Sequence, residues 1–324
     1  MENKINIAPL AELTTSLWKF RTLVAAIKLN IFDTVKNNSE PEEIARELKL
    51  KTEPLERLLN ALVAMDLVEK NDNNYFNKPI STEFLIKNSK RYYGDFILMY
   101  EGMDDSWKKL DIVIKTNSPV AGDNRERLSK EIFTKGMHNN AQAPANAMAS
   151  IIDFSNRKHL LDIGGGSGAF SIILTNKYEN LKATVNEQPA VCEAIQEYVD
   201  KEGNKDKIEI LNGDYFKVEF PTHDVALFSQ IFHSNSVDQN KFLLKKVYEK
   251  LDKNGLIIVT EFLLNEDHAG PLFSALFDLN MLKQTPNGKA YTFSEVKSWI
   301  EEAGFIDVEK KPLIGPHTII TAQK

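Results

Sequence analysis

The chain has a single cysteine, Cys192, in 324 residues, no apolar run near the ~18 residues of a membrane span, and no excess of positive charge. One cysteine excludes an intramolecular disulfide and any multi-cysteine metal site, and no metal is expected. Cys192 falls in a helical pattern, Pro189 to Lys201, and reads as a small buried residue. The net charge of −6 gives no bulk drive toward nucleic acid or an anionic membrane, so neither is expected as a partner. Residues 1–6, Met-Glu-Asn-Lys-Ile-Asn, lack the basic and apolar regions of a signal peptide, and a cytoplasmic protein is expected. At ~100–200 residues per domain the length predicts two domains.

Glycine is sparse and unevenly spent. Of 15 glycines, four fall together at Gly164, Gly165, Gly166 and Gly168, after the apolar run His159-Leu-Leu-Asp-Ile163 and before a helical segment, Phe170 to Lys177. A strand that turns sharply into a helix while its backbone approaches a ligand needs residues without a Cβ. The free N–H groups at the start of the helix suit a negatively charged ligand group. A nucleotide-like cofactor follows. The glycines alone leave its kind open, because Gly164, Gly166 and Ala169 also fit the dinucleotide fingerprint, with Glu187 at about the spacing of a ribose-binding acid.

Residues 1–90 read as a helical domain ending in a hairpin. Leu10 to Val35 is expected to form one long apolar helix, followed by helices at Glu42–Leu48 and Thr52–Met65. Val68 to Phe76 then forms two short strands about an Asn/Asp-rich turn. This order resembles a winged helix-turn-helix. A DNA reader needs a cationic face, and residues 1–95 carry 14 Lys plus Arg against 14 Asp plus Glu. Packing or dimerisation is therefore expected. Residues 91–150 read as a helical, aromatic linker that walls the pocket.

From 151 to 324 strands alternate with helices, so the fold class is α/β. Strands are expected at His159–Ile163, Lys182–Glu187, Ile208–Asn212, Val225–Phe232 and Leu256–Leu263. A capping box at Ser236 opens a helix that is expected to stop near Asn254-Gly255. After a helix at Phe293–Ala303, strands Ile306–Leu313 and His317–Ala322 are separated only by Ile314-Gly-Pro316. So short a gap permits a hairpin and no parallel crossover, so one of these strands must run antiparallel. The ending favours the methyltransferase variant of a mostly parallel, Rossmann-like sheet.

With these segments in order, the chain resembles, over nearly its whole length, the bacterial and plant small-molecule O-methyltransferases that use S-adenosylmethionine (SAM). Leu161-Asp-Ile-Gly-Gly-Gly-Ser-Gly168 is similar to that family's first motif. Val185-Asn-Glu-Gln-Pro-Ala190 stands where Phe-Asp-Leu-Pro is usual, and Gly213-Asp-Tyr-Phe216 is similar to its Gly-Asp-x-Phe element. The resemblance implies a homodimer through a winged-helix-like N-terminal domain, and a class I methyltransferase sheet that binds SAM and releases S-adenosylhomocysteine (SAH). It implies that Asp162, Gly164, Gly166 and Gly168 face the methionine end of the cofactor. Glu187 would accept from the ribose hydroxyls and Asp214 from the adenine amine, with Tyr215, Phe216 and Ser229 completing the cofactor set.

SAM already carries its reactive methyl group, so the protein must hold a nucleophile in line and remove its proton. His233 follows a strand at the sheet end where open α/β folds place their sites. In the family this histidine is the base, and Glu261, 28 residues on, stands at the acid that holds it. Two departures are visible: His233-Ser-Asn-Ser236 lacks the family's His-Asp-Trp, and Gly288-Lys-Ala-Tyr-Thr292 puts Ala290 where a second acid is usual. They leave room for methylation at carbon or nitrogen, or for a SAM-binding relative that transfers no methyl group. The resemblance places Asn280 and Met281 at the acceptor, joined by Phe277, Met137 and Trp107. That lining suits a small, planar, largely apolar molecule.

Overall fold

The computed structural model describes residues 5–37, 39–120, 130–202 and 205–324. Residues 1–4, part of the stretch read above for a signal peptide, and 121–129 of the expected linker lie outside the described residues. The chain divides into two compact units, residues 1–101 and 102–324.

The first unit holds α1 (Ala8–Lys28), α2 (Ile31–Val35), α3 (Pro41–Leu48), α4 (Thr52–Ala64), the hairpin β1 (Val68–Asn71) and β2 (Asn74–Asn77), then α5 (Pro79–Phe84) and most of α6 (Gly94–Gly102). The single long helix expected over Leu10 to Val35 is instead two. Asn30 takes a left-handed conformation (φ 57°), which asparagine tolerates, and the turn it makes sends Ile31, Phe32 and Val35 into the core. Tyr75 of β2 is fully buried and donates its hydroxyl to Asn60 Oδ1 at 2.8 Å, fixing the hairpin against α4. The outer turns of α1 stay open to solvent, with Leu13 69% and Trp18 72% exposed.

The second unit begins with α7 (Asp104–Trp107), α8 (Leu110–Thr116) and α9 (Lys130–Ile151). It continues through β3 (His159–Ile163), α10 (Ala169–Lys177), β4 (Lys182–Glu187), α11 (Pro189–Glu202), β5 (Ile208–Asn212) and β6 (His223–Ser229). It closes with α12 (Val237–Lys250), β7 (Leu251–Glu261), α13 (Leu272–Gln284), α14 (Phe293–Glu302), β8 (Ile306–Pro312) and β9 (Thr318–Gln323). The seven strands lie in the order β5-β4-β3-β6-β7-β9-β8, parallel except β9, which runs antiparallel to both neighbours. Alternate residues feed two cores. Leu161, Ile163, Ala226 and Phe228 belong to one, and Leu160, Val225, Leu227 and Ile258 to the other.

The helix expected to reach Asn254-Gly255 ends four residues earlier. Asn254 (φ 63°) sits inside an irregular start of β7, tied by its N–H to the carbonyl of Lys324 at 3.1 Å. Likewise β6 stops at Ser229, and Phe232–Ser234 forms a 3₁₀ turn instead of prolonging the strand. Among the described residues no helix is long and apolar enough to cross a membrane. Because β3 lies between β4 and β6, successive crossovers leave it in opposite directions. That reversal opens a crevice at the carboxyl ends of these strands.

Candidate active site

The first half of the crevice is made mainly of backbone. Gly164 (φ 61°), Gly166 (φ 59°) and Gly168 (φ 75°) are all left-handed, a conformation that would strain other residues. A Cβ on Gly164 would collide with Ile231, whereas one on Gly166 would meet nothing within 4 Å, so this backbone faces open space. The turn is held from the next strand: Gly165 N–H donates to the Asn186 carbonyl (3.2 Å), and Gly166 N–H to Glu187 Oε2 (3.0 Å). Asn186 in turn donates to the carbonyls of Leu211 and Gly213, both at 2.9 Å, which positions the loop after β5.

Two acids stand beside this turn. Asp162 is fully buried and accepts from the Ser171 hydroxyl at 2.7 Å through Oδ2, while Oδ1 has no partner. Burial pushes its pKa up to about 6. Burial also raises the Glu187 pKa, against the N–H bonds from Gln188 and Gly166 that favour the carboxylate. Asp214 caps its own turn through the Phe216 N–H (3.0 Å) and has Lys217 at 3.5 Å. Tyr215 donates to Asn235 Oδ1 at 3.1 Å, Phe216 packs edge-on against the Tyr215 ring, and Ser229 joins Thr260 at 3.1 Å across β6 and β7.

The second half is made of side chains from separate elements. The 3₁₀ turn places His233 over the end of β7, where Nδ1 meets Glu261 Oε2 at 2.8 Å and the backbone N–H reaches Oε1 at 3.2 Å. Both residues are buried. An ionised carboxylate only accepts, so the proton sits on Nδ1 and the Nε2 lone pair is free of the pair. Phe277 of α13 meets the His233 ring edge-on at 4.8 Å and also touches Phe262. One turn along α13, Asn280 Oδ1 accepts from Gln284, whose amide also approaches Met103 Sδ at 3.3 Å. Met281 is buried, and its carbonyl accepts from the Thr285 hydroxyl.

Trp107 is placed against Lys283 of α13. Met137 is half-buried on α9, next to His138. The structure thus brings His233, Glu261 and Phe277 into contact, and the glycines together with Glu187. Ala290 is buried, and its N–H donates to Asp278 Oδ1 at 2.7 Å, so a carboxylate from α13 binds the loop at the position lacking an acid.

Other site neighbours had no local signal in the sequence. His317 at the start of β9 is buried, bonds Gln230 at 3.2 Å and packs on Phe262, and burial pulls its pKa down to about 4. His138 bonds Ser167 of the glycine turn at 2.8 Å and stacks on Tyr198, and burial likewise takes it to about 4. Both act at neutral pH as uncharged groups. Among the described residues no group of three or more His, Cys, Asp or Glu is placed to hold a metal ion.

A glycine turn and acids at the ends of successive parallel strands, with a buried His–Glu pair beside them, mark the crevice of a Rossmann-like domain suited to a nucleoside-type cofactor. Residues 118–306 match the model of the O-methyltransferase domain, and residues 11–87 that of the O-methyltransferase dimerisation domain. The chain belongs to the O-methyltransferase family and is a SAM-dependent methyltransferase. It is 29% identical to 3-hydroxy-5-methyl-1-naphthoate 3-O-methyltransferase of Streptomyces sahachiroi, over 95% of this chain and 92% of that one. It is 24% identical to the tetracenomycin polyketide synthesis 8-O-methyl transferase of Streptomyces glaucescens, over 97% and 95%. The structure of human N-acetylserotonin methyltransferase in complex with SAM shares its fold, with a TM-score of 0.87 at 24% identity, covering 100% and 99%.

Proposed function

We propose that the chain methylates the hydroxyl oxygen of a small aromatic acceptor, with His233 as general base and Glu261 as the residue that holds it. The observation that carries this reading is the buried His233–Glu261 pair, whose carboxylate accepts from both Nδ1 and the backbone N–H of the same histidine. That double contact fixes the ring and its tautomer, leaving Nε2 to take the acceptor's proton. Glu261 then stabilises the imidazolium. The O-methyl names of both relatives described above support oxygen as the atom methylated.

The residues present fit the cofactor. Asp162 offers an unpartnered buried oxygen suited to a cationic group, and the open space beside the Gly166 backbone leaves room for the methionine end of the cofactor before α10. Glu187 and Asp214, with Tyr215, Phe216 and Ser229 beside them, would hold the ribose and adenine ends. When bound, SAM supplies an electrophilic methyl group on a cationic sulfur. Phe277, Asn280 and Met281 of α13, with Trp107 and Met137, would wall the acceptor.

Residues 1–90 are assigned to dimerisation, 91–150 to a linker and pocket wall, and 151–324 to catalysis. A homodimer through the first of these accords with the dimerisation-domain match and with the open apolar face of Leu10, Leu13, Leu17 and Trp18 on α1. A cytoplasmic location accords with the single cysteine. The test is methyl transfer from SAM to a panel of hydroxyaromatics, read by mass. One SAH formed per O-methyl product is expected. Product without SAH, or methylation only at carbon or nitrogen, contradicts the proposal.

A further inference from the structure

The loop from Thr285 to Thr292 carries Ala290 in place of an acid, yet it presses directly on the turn that bears His233. Gly288 is the point of closest approach: a Cβ there would lie far inside contact distance of the His233 carbonyl oxygen. Its own N–H donates to Thr285 Oγ1 at 2.8 Å, just past α13. Three residues on, the Tyr291 hydroxyl donates to the Asn235 carbonyl at 2.7 Å, two residues from the base. Both residues are buried, with Tyr291 3% and Asn235 4% exposed. Burial, with Glu295, Glu261 and Asp278 near, raises the Tyr291 pKa above the ordinary tyrosine value, so the phenol keeps the proton it donates.

Tyr291 is anchored on both sides. The Ala290 N–H donates to Asp278 Oδ1 at 2.7 Å, and the Tyr291 carbonyl accepts from the Leu264 N–H at 2.9 Å. The receiving end is held as well: the Asn235 amide donates to the Ile231 carbonyl and to Asn240 Oδ1, each at 3.3 Å. A buried hydroxyl carries a desolvation cost that its hydrogen bond must offset, and here that bond ends on the backbone of the base's own turn. We propose that Tyr291 and Asp278 are positioning residues for the base, clamping the His233 turn through the loop that lacks a second acid. This rests on the reading of His233 as the base. Glu261 fixes the imidazole and Tyr291 fixes the backbone that carries it, so the two contacts together set the direction of Nε2.

The test compares 4-methylphenol with 4-nitrophenol at about pH 8, where the nitrophenol is ionised and has no proton for a base to remove. In Tyr291→Phe, kcat for 4-methylphenol is expected to fall about tenfold, with KM and SAH affinity unchanged and kcat for 4-nitrophenol within about twofold of wild type. Asp278→Ala should act in the same way, and it serves if Tyr291→Phe does not fold. Asp278→Asn, which keeps an oxygen for the Ala290 N–H, should restore most of that loss. Equal losses for both phenols, or none for either, overturn the proposal. If the wild type methylates neither phenol, that counts against the O-methylation reading, and the clamp is decided by nitrogen NMR of the His233 imidazole in SAH-loaded protein, assigned by its loss in His233→Ala. A single Nδ1–H form in the wild type that becomes mixed in Tyr291→Phe supports the clamp. That form retained unchanged in the variant, or absent from the wild type, overturns it.

Discussion

Between Asp162 and Phe216 the crevice is backbone-rich: three left-handed glycines, a Gly166 backbone that borders open space, and acids at the ends of adjacent strands. Between His233 and Ala290 the contacts are made by side chains on a 3₁₀ turn, a strand end, a helix and a loop. The first half depends on residues close in sequence and tolerates little change of residue type. The second is assembled from distant segments, so its side chains can change without disturbing the glycine turn. The proposed roles differ accordingly: damage to the first half should appear in SAH affinity, and damage to the second in turnover or KM.

The sharpest separation of the halves is expected from Glu261→Gln. The amide cannot hold the imidazolium, and kcat should fall about 10²- to 10⁴-fold with SAH affinity unchanged, measured by single-turnover kinetics and calorimetry. Equal losses in both would break the comparison. Next comes Gly164→Val, a β-branched residue at φ 61° whose side chain would also strike Ile231. SAH binding should weaken by about ten- to a hundredfold.

A smaller, graded effect is expected from pH. The Asp162 pKa is raised to about 6 in the free protein, and a cationic ligand group favours the ionised form. SAH affinity should therefore be full above pH 6 and weaken by up to about tenfold per pH unit below it, with Glu187 titrating in the same sense. In the ligand-free protein the sign reverses. The raised carboxyl stabilises the fold most below the unfolded pKa of about 4, and that contribution is lost as pH rises through about 6. Calorimetry from pH 5 to 8, and flat affinity as the contrary result, check this.

The same contrast explains what could be read without coordinates. The glycine turn, its flanking strand and helix, and the hairpin that makes β9 antiparallel all follow from adjacent residues. The His233–Glu261 pairing depended on family spacing, because nothing local joins residues 28 apart. The break at Asn30 was hidden, since the apolar spacing continues through it while only the backbone changes hand. The Asn254-Gly255 turn has the composition of a helix stop, but it is taken within β7 and tied to Lys324. Lys283, Asp278 and His317 gave no signal because their partners, at Ser106, Ala290 and Gln230, come from other elements.

The measurement that bears most directly on the proposed base is the effect of His233→Ala on kcat and on SAH binding in the same preparation. The account predicts that kcat for O-methylation falls by about 10²-fold or more while the SAH dissociation constant stays unchanged. Turnover within about twofold of wild type, with SAH still bound, would contradict it.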